Sequence, residues 1–186
     1  MRQSNGGRTE LRKHIIRIAV SAMLIGVSII IGSICRKFLN FGGFIRVTFE
    51  NLPIILSGIL FGPFYGMCAG VCTDLISSVI TGQDINPIIT AGALSVGFVS
   101  GVMSKILSDS VPSKVRIVIS CVSAHLFGCV LLKTLGLHIY YYQSLPFAYL
   151  LGVRLALYAF IAAAESILLC LILKNKYIKG FSDYEL

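Results

Sequence analysis

The sequence has no tryptophan, five prolines and eight acidic residues, and only 13% of its 186 residues are charged. So little charge excludes an ordinary water-soluble domain, where about a quarter of the residues are charged. Other absences narrow the field further. The period-two alternation of a membrane barrel is missing, as is any C-x-x-C or paired-cysteine pattern of a zinc finger. P-loop, nucleophile-elbow and metal-hydrolase signatures are missing too. With neither a clustered nucleophile nor paired catalytic carboxylates, no enzyme, catalytic residue or cofactor is expected. No internal duplication supports two inverted repeats with broken helices.

What is present is apolar: 56% of residues are hydrophobic and the mean hydropathy is +0.86. The apolar runs approach the roughly 20 residues that a helix needs to cross a bilayer. They predict an all-α membrane protein, one bundle of six transmembrane helices over His14–Ile34, Thr48–Phe61, Phe64–Ile80, Ile88–Leu107, Val115–Leu135 and Pro146–Leu173. The first run is too long for a signal-peptide core. Residues 1–13 and 178–186 read as tails around a domain at 14–177. The net charge of +8 reflects basic residues gathered at the chain ends and in one loop, which fits membrane orientation better than a nucleic-acid partner. Arg2, Arg8, Arg12, Lys13, Arg17, Lys105, Lys114, Arg116, Lys174, Lys176 and Lys179 fall on one side, against Arg36, Lys37, Arg46 and Lys133 on the other. Both termini are therefore expected in the cytoplasm, with the chain in the cell membrane.

Polar residues concentrate in the stretch from Arg46 to Pro87. A carboxylate at bilayer depth costs about 2.5–3.5 kcal/mol on insertion scales, so Glu50 and Asp74 ask for a pathway, a partner or a ligand. Under the six-helix topology, Arg46, Glu50, Asn51, the TGQDIN loop, Lys133 and Arg154 fall toward the outer half and are expected to line one cavity. Asp74 either pairs with Arg154, locking helices together, or accepts a hydrogen bond from a ligand. The basic connector at 35–47 suits either ligand binding or lipid headgroups. Tyr140, Tyr141 and Tyr142 suit either an interfacial belt or a stacking loop.

Small residues four apart on the first helix, Ala22 with Gly26 and Ser28 with Gly32, allow close approach of another helix, inside or outside the bundle. The six cysteines are expected to be small, reduced core residues. Cys121, His125 and Cys129 share a helical face, but the stripe spans about 12 Å and no other segment offers an obvious completing pair, so a satisfied core histidine is expected and no metal. Glu165 lies about 16 Å along the helix from Arg154, on the same face but out of contact, and is assigned to packing or coupling on the inner half.

The pattern RVTFENLPIILSGILFGPFYGMCAGVCTDLI, a polar loop, a Gly/Ala/Ser-rich fourth helix, then LLKTLGLHIYYY and a late arginine resembles the substrate-binding (S) subunits of energy-coupling-factor vitamin transporters, above all the folate-specific FolT family. The resemblance spans His14 to Tyr177. It implies a six-helix subunit of the bacterial plasma membrane that captures a vitamin outside and topples to deliver it inward, with a membrane scaffold subunit (EcfT) and two cytoplasmic ATPases as partners. It further implies that Arg46 stacks on or hydrogen-bonds a pterin, followed by Phe49, Glu50 and Asn51 in one ligand-facing turn, with Asp74, Asn86, Lys133 and Arg154 completing the substrate site. Ala19, Ala22 and Gly26 match the small-residue motif of the scaffold contact, in variant form. Lys133-Thr134 stands where such sequences often carry Asn-Thr. An S subunit for another vitamin and a structural membrane protein without a ligand are the competing readings.

Overall fold

Glycine, not charge, sets how closely the helices of this chain pack. A computed structural model describes residues 4–39, 46–108 and 110–174, with side chains from residue 10 onward. The helices are α1 (Ser4–Phe38), α2 (Asn51–Phe61), α3 (Pro63–Thr81), α4 (Pro87–Ile106), α5 (Ser113–Ala124), α6 (Lys133–Tyr140) and α7 (Phe147–Leu173), with π-helical turns at His125–Leu132 joining α5 to α6. Five stretches are long and apolar enough to span a membrane: Glu10–Phe38, Pro63–Thr81, Pro87–Ile106, Ser113–Tyr140 and Phe147–Leu173.

The expected second crossing is shorter than the others. α2 has 11 residues, about 16 Å, roughly half the hydrocarbon thickness. All of its residues are buried, as an all-apolar helix requires when it sits inside a bundle. α1, α3, α4, α5 and α7 pack around it. Ile54, Ile55 and Leu60 meet Val96, Cys121, Tyr158, Ile161 and Leu169 in the core.

Only Gly62 separates α2 from α3. Its φ of 92° and ψ of 175° are left-handed values that a side chain would resist, and Pro63 then opens α3 with a fixed φ. The expected GPFYG turn is thus one residue long. Between lipid-embedded helices there is no hydrophobic drive, so close backbone approach supplies the attraction. A Cβ at Gly101 would lie 2.6 Å from Pro63 Cα, and one at Gly97 would run into the Gly66 carbonyl.

Three boundaries differ from expectation. No break falls at residue 13, because α1 already starts at Ser4, and Lys13 and Glu10 pair across one turn at 3.0 Å. α2 begins three residues late, since Thr48 Oγ1 accepts the Glu50 N–H in a local turn that competes with helix. The fifth rod runs through the expected loop to Tyr140, with no proline to stop it, and Gly136 is accommodated against Ile88 and Ile89. The expected C-terminal tail at 178–186 lies outside the described residues. The cysteines divide: Cys35, Cys121 and Cys129 are buried and Cys170 half-buried, but Cys68 and Cys72 are exposed on α3 rather than in the core.

Candidate functional site

The end of α1, the start of α2, the α3–α4 and α6–α7 connections and the start of α7 meet at one end of the bundle. Because α2 stops short, this end holds a cavity of about 320 Å³.

Its polar wall is built from non-adjacent elements. Glu50, just before α2, receives Arg46 at 3.2 Å and Lys133, the first residue of α6, at 3.9 Å. Arg36, from the last turn of α1, lines the same cavity, and its Nε and Nη2 are buried without a hydrogen-bond partner. Ser28 of α1 anchors this corner by donating to the Glu50 carbonyl. Gly32 leaves the room, since a Cβ there would lie 2.6 Å from Glu50 Oε2. The Ser28–Gly32 pair therefore packs within the bundle.

On the opposite wall, Asp74 accepts from Thr90 Oγ1 at 2.7 Å. Of the two alternatives for Asp74, the pair with Arg154 is not formed. Arg154 Nε instead donates to Thr134 Oγ1 at 2.8 Å and its Nη2 to the Cys129 carbonyl at 3.1 Å. The π-helical turns explain this preference, because widening the helix frees a carbonyl from the regular ladder. The guanidinium also lies over the Tyr158 ring, 5.1 Å from its centroid.

Asn86 caps α4 through Oδ1, accepting from Ile88 N at 3.0 Å and Ile89 N at 3.3 Å. Its buried Nδ2 has no partner, leaving a donor in the wall of the cavity.

Of the sequence-expected substrate residues, Arg46, Glu50, Asp74, Asn86, Lys133 and Arg154 line this space. Phe49 and Asn51 are not among the lining side chains. Asn51 is fully buried and donates to Cys129 Sγ at 3.4 Å, so it ties α2 to the π-helical turns behind the wall. Sequence reasoning missed Thr73, Ser77 and Tyr158, which also line the cavity. The spacing of Thr73, Asp74 and Ser77 on α3 was a readable polar face; Tyr158 carried no signal beyond lying one turn after Arg154.

A second, apolar groove lies between α1 and α3 and includes Ala22, Tyr65 and Cys68. Ala19 and Ala22 are exposed, and a Cβ at Gly26 would meet nothing within 4 Å. Of the two small-residue pairs on α1, Ala22–Gly26 thus faces away from the bundle.

Fold and cavity together define a multi-pass helical membrane protein with a polar pocket recessed at one end. Residues 16–173 match the family ECF transporter, substrate-specific component, and the chain belongs to it. That family is the substrate-binding part of a transporter, not an enzyme. The fold is similar to that in the crystal structure of FolT bound with folic acid, with a TM-score of 0.67, 19% identity, and coverage of 83% of this chain and 90% of that one. The chain is also 31% identical over 93 residues to the uncharacterized protein MG098 homolog of Mycoplasma pneumoniae (strain ATCC 29342 / M129 / Subtype 1), a match covering 50% of this chain and 19% of that protein.

Proposed function

We propose that this chain is the capture subunit of a vitamin importer in the bacterial plasma membrane and that its guest is folate or a reduced folate. The observation that carries the reading is the charge arrangement of the cavity. Unpartnered donors on Arg36 and Asn86 face a space that also holds the carboxylates of Glu50 and Asp74.

A folate presents complementary groups. Its flat pterin suits the guanidinium face of Arg46 and the ring of Tyr158. The amino-pyrimidine edge donates hydrogen bonds that Asp74 or Glu50 would accept, and the glutamate carboxylates suit Arg36 and Lys133. Phe49, whose carbonyl accepts from Leu52 N, and Asn51, hydrogen-bonded to Cys129, flank Glu50 at the start of α2. The likeness of the fold to folate-bound FolT supports the same reading.

In this proposal six segments run through the bilayer, both termini face the cytoplasm and the cavity opens outward. Delivery inward requires an EcfT-type scaffold and two ATPase subunits. Ala19, Ala22 and Gly26, with the groove beside them, form the scaffold contact.

Titration calorimetry of the purified chain in detergent, without partners, tests the substrate. One folate bound per chain is the expected result. Binding of riboflavin, thiamine or biotin in its place would overturn the folate assignment, and retention of no vitamin at all would overturn capture.

A further inference from the structure

Below the cavity, α5, the π-helical turns that follow it and α7 share a cluster that the ligand-binding reading does not use. His125 Nε2 lies 2.7 Å from Glu165 Oε2, and one ligand atom from each of Cys121, His125 and Glu165 falls within 4.8 Å of the other two. The three residues are almost fully buried, at 0%, 2% and 0% exposure. Two of their atoms, His125 Nδ1 and Glu165 Oε1, have no hydrogen-bond partner. Leaving buried polar atoms unpaired costs about 1–3 kcal/mol each, and a carboxylate in the apolar layer adds to that. Cys129 lies outside this set of three; its sulfur accepts from Asn51, while the Cys121 thiol donates to the Ala162 carbonyl at 3.8 Å, a contact given up when the thiol ionises.

From this geometry we propose that Cys121, His125 and Glu165 bind a divalent thiophilic cation, with Zn²⁺ as the best match. A sulfur, an imidazole nitrogen and a carboxylate oxygen form a zinc-type donor set, with a fourth position left for water. The charges close: a thiolate and a carboxylate offset the dication, so the loaded site is neutral, as apolar surroundings favour. Binding releases the Cys121 thiol proton and any proton shared by the His125–Glu165 pair. Glu165 Oε1, which has no partner in the metal-free cluster, is available as the carboxylate ligand, and bonds of about 2.0–2.3 Å form by side-chain adjustment. The ion would staple α5 to α7 directly under the cavity, because Tyr158, which lines it, packs on the His125 ring at 5.6 Å and lies under Arg154.

The test uses the full chain in detergent, its affinity tag removed, titrated with cobalt(II) as a spectroscopic probe. One cobalt per chain with a thiolate-to-metal charge-transfer band is expected, displaced by zinc. Cys121→Ser should abolish the band and Glu165→Gln should weaken binding by more than about tenfold. Zinc should also raise the unfolding temperature of the wild type and leave that of Cys121→Ser unmoved. A monodisperse wild-type sample that shows neither band nor zinc-dependent stabilisation would overturn the site, whatever the variants do, and so would a band unchanged in Cys121→Ser. Vitamin binding is measured separately, so failure of the metal site leaves the folate reading intact.

Discussion

Among the described residues, Glu50 is the carboxylate that pairs with both Arg46 and Lys133, with Arg36 on the same wall. Removing it leaves cations uncompensated; because Arg46 is 29% exposed, the cost falls below the about 3–5 kcal/mol of breaking a fully buried pair. Glu50→Gln is therefore expected to lose stability first, visible as a lower unfolding temperature even without ligand. Arg46→Ala should behave oppositely: it leaves Glu50 with Lys133 and costs about 1–2 kcal/mol of folate affinity through lost cation–π and hydrogen-bond contacts, read by calorimetry. Thr134 offers a third case. It accepts from Arg154, so Thr134→Val strands a buried donor and should destabilise the fold by about 1–3 kcal/mol. At this scale the sequence was readable wherever a charge stood in an apolar run, because insertion energy makes Arg46, Glu50, Asp74, Lys133 and Arg154 conspicuous. It was silent on pairing. Of the two roles left open for Asp74, pairing with Arg154 did not form, because a side-chain hydroxyl and a freed backbone carbonyl take the guanidinium, and neither acceptor shows in a hydropathy pattern. The His125–Glu165 contact was missed for a related reason, since 40 residues separate partners that only tertiary packing joins.

Helices and their seams are where small residues decide the outcome. Gly97 and Gly66 bring α4 and α3 into backbone contact, so Gly97→Leu should force the pair apart at a cost of about 1–3 kcal/mol or complete misassembly. Gly152, with nothing within 4 Å of an added Cβ, is the control: Gly152→Ala should leave the unfolding temperature unchanged or slightly raised. Both outcomes are read by heating the detergent-solubilised variants. The apolar runs located every long helix, and Asn86-Pro87 marked the start of α4, because caps and prolines act locally. Helix length was less legible. Lys133 and the tyrosines after it look like the edge of a membrane, yet α6 continues to Tyr140 because nothing in Thr134–Ile139 breaks a helix and Ile88 and Ile89 pack against Gly136. The π-helical turns have no sequence signature in a single chain, and neither does the Cys129 carbonyl that Arg154 and Thr134 both meet there.

For the molecule as a whole, the structure has two separate features, a recessed polar cavity at one end and an apolar groove between α1 and α3, to which the proposed function gives separate tasks. Their separation predicts separable defects. Ala22→Leu combined with Gly26→Leu adds bulk at an exposed position and at one with open space around it, away from the cavity, so folate affinity should stay within twofold of wild type while co-purification with a scaffold subunit is lost; a parallel loss of affinity would show the faces to be coupled. The short α2 links the two scales. α3 has 19 residues and α2 has 11, a difference of about 12 Å in rise, and the two share an end at Gly62. The missing length is a plug left out of the bundle, and its absence makes the vestibule. A chain carrying two further turns of apolar helix ahead of Asn51 would fill that hollow with its own backbone, and would be expected to fold well, sit in the bilayer and carry no cargo.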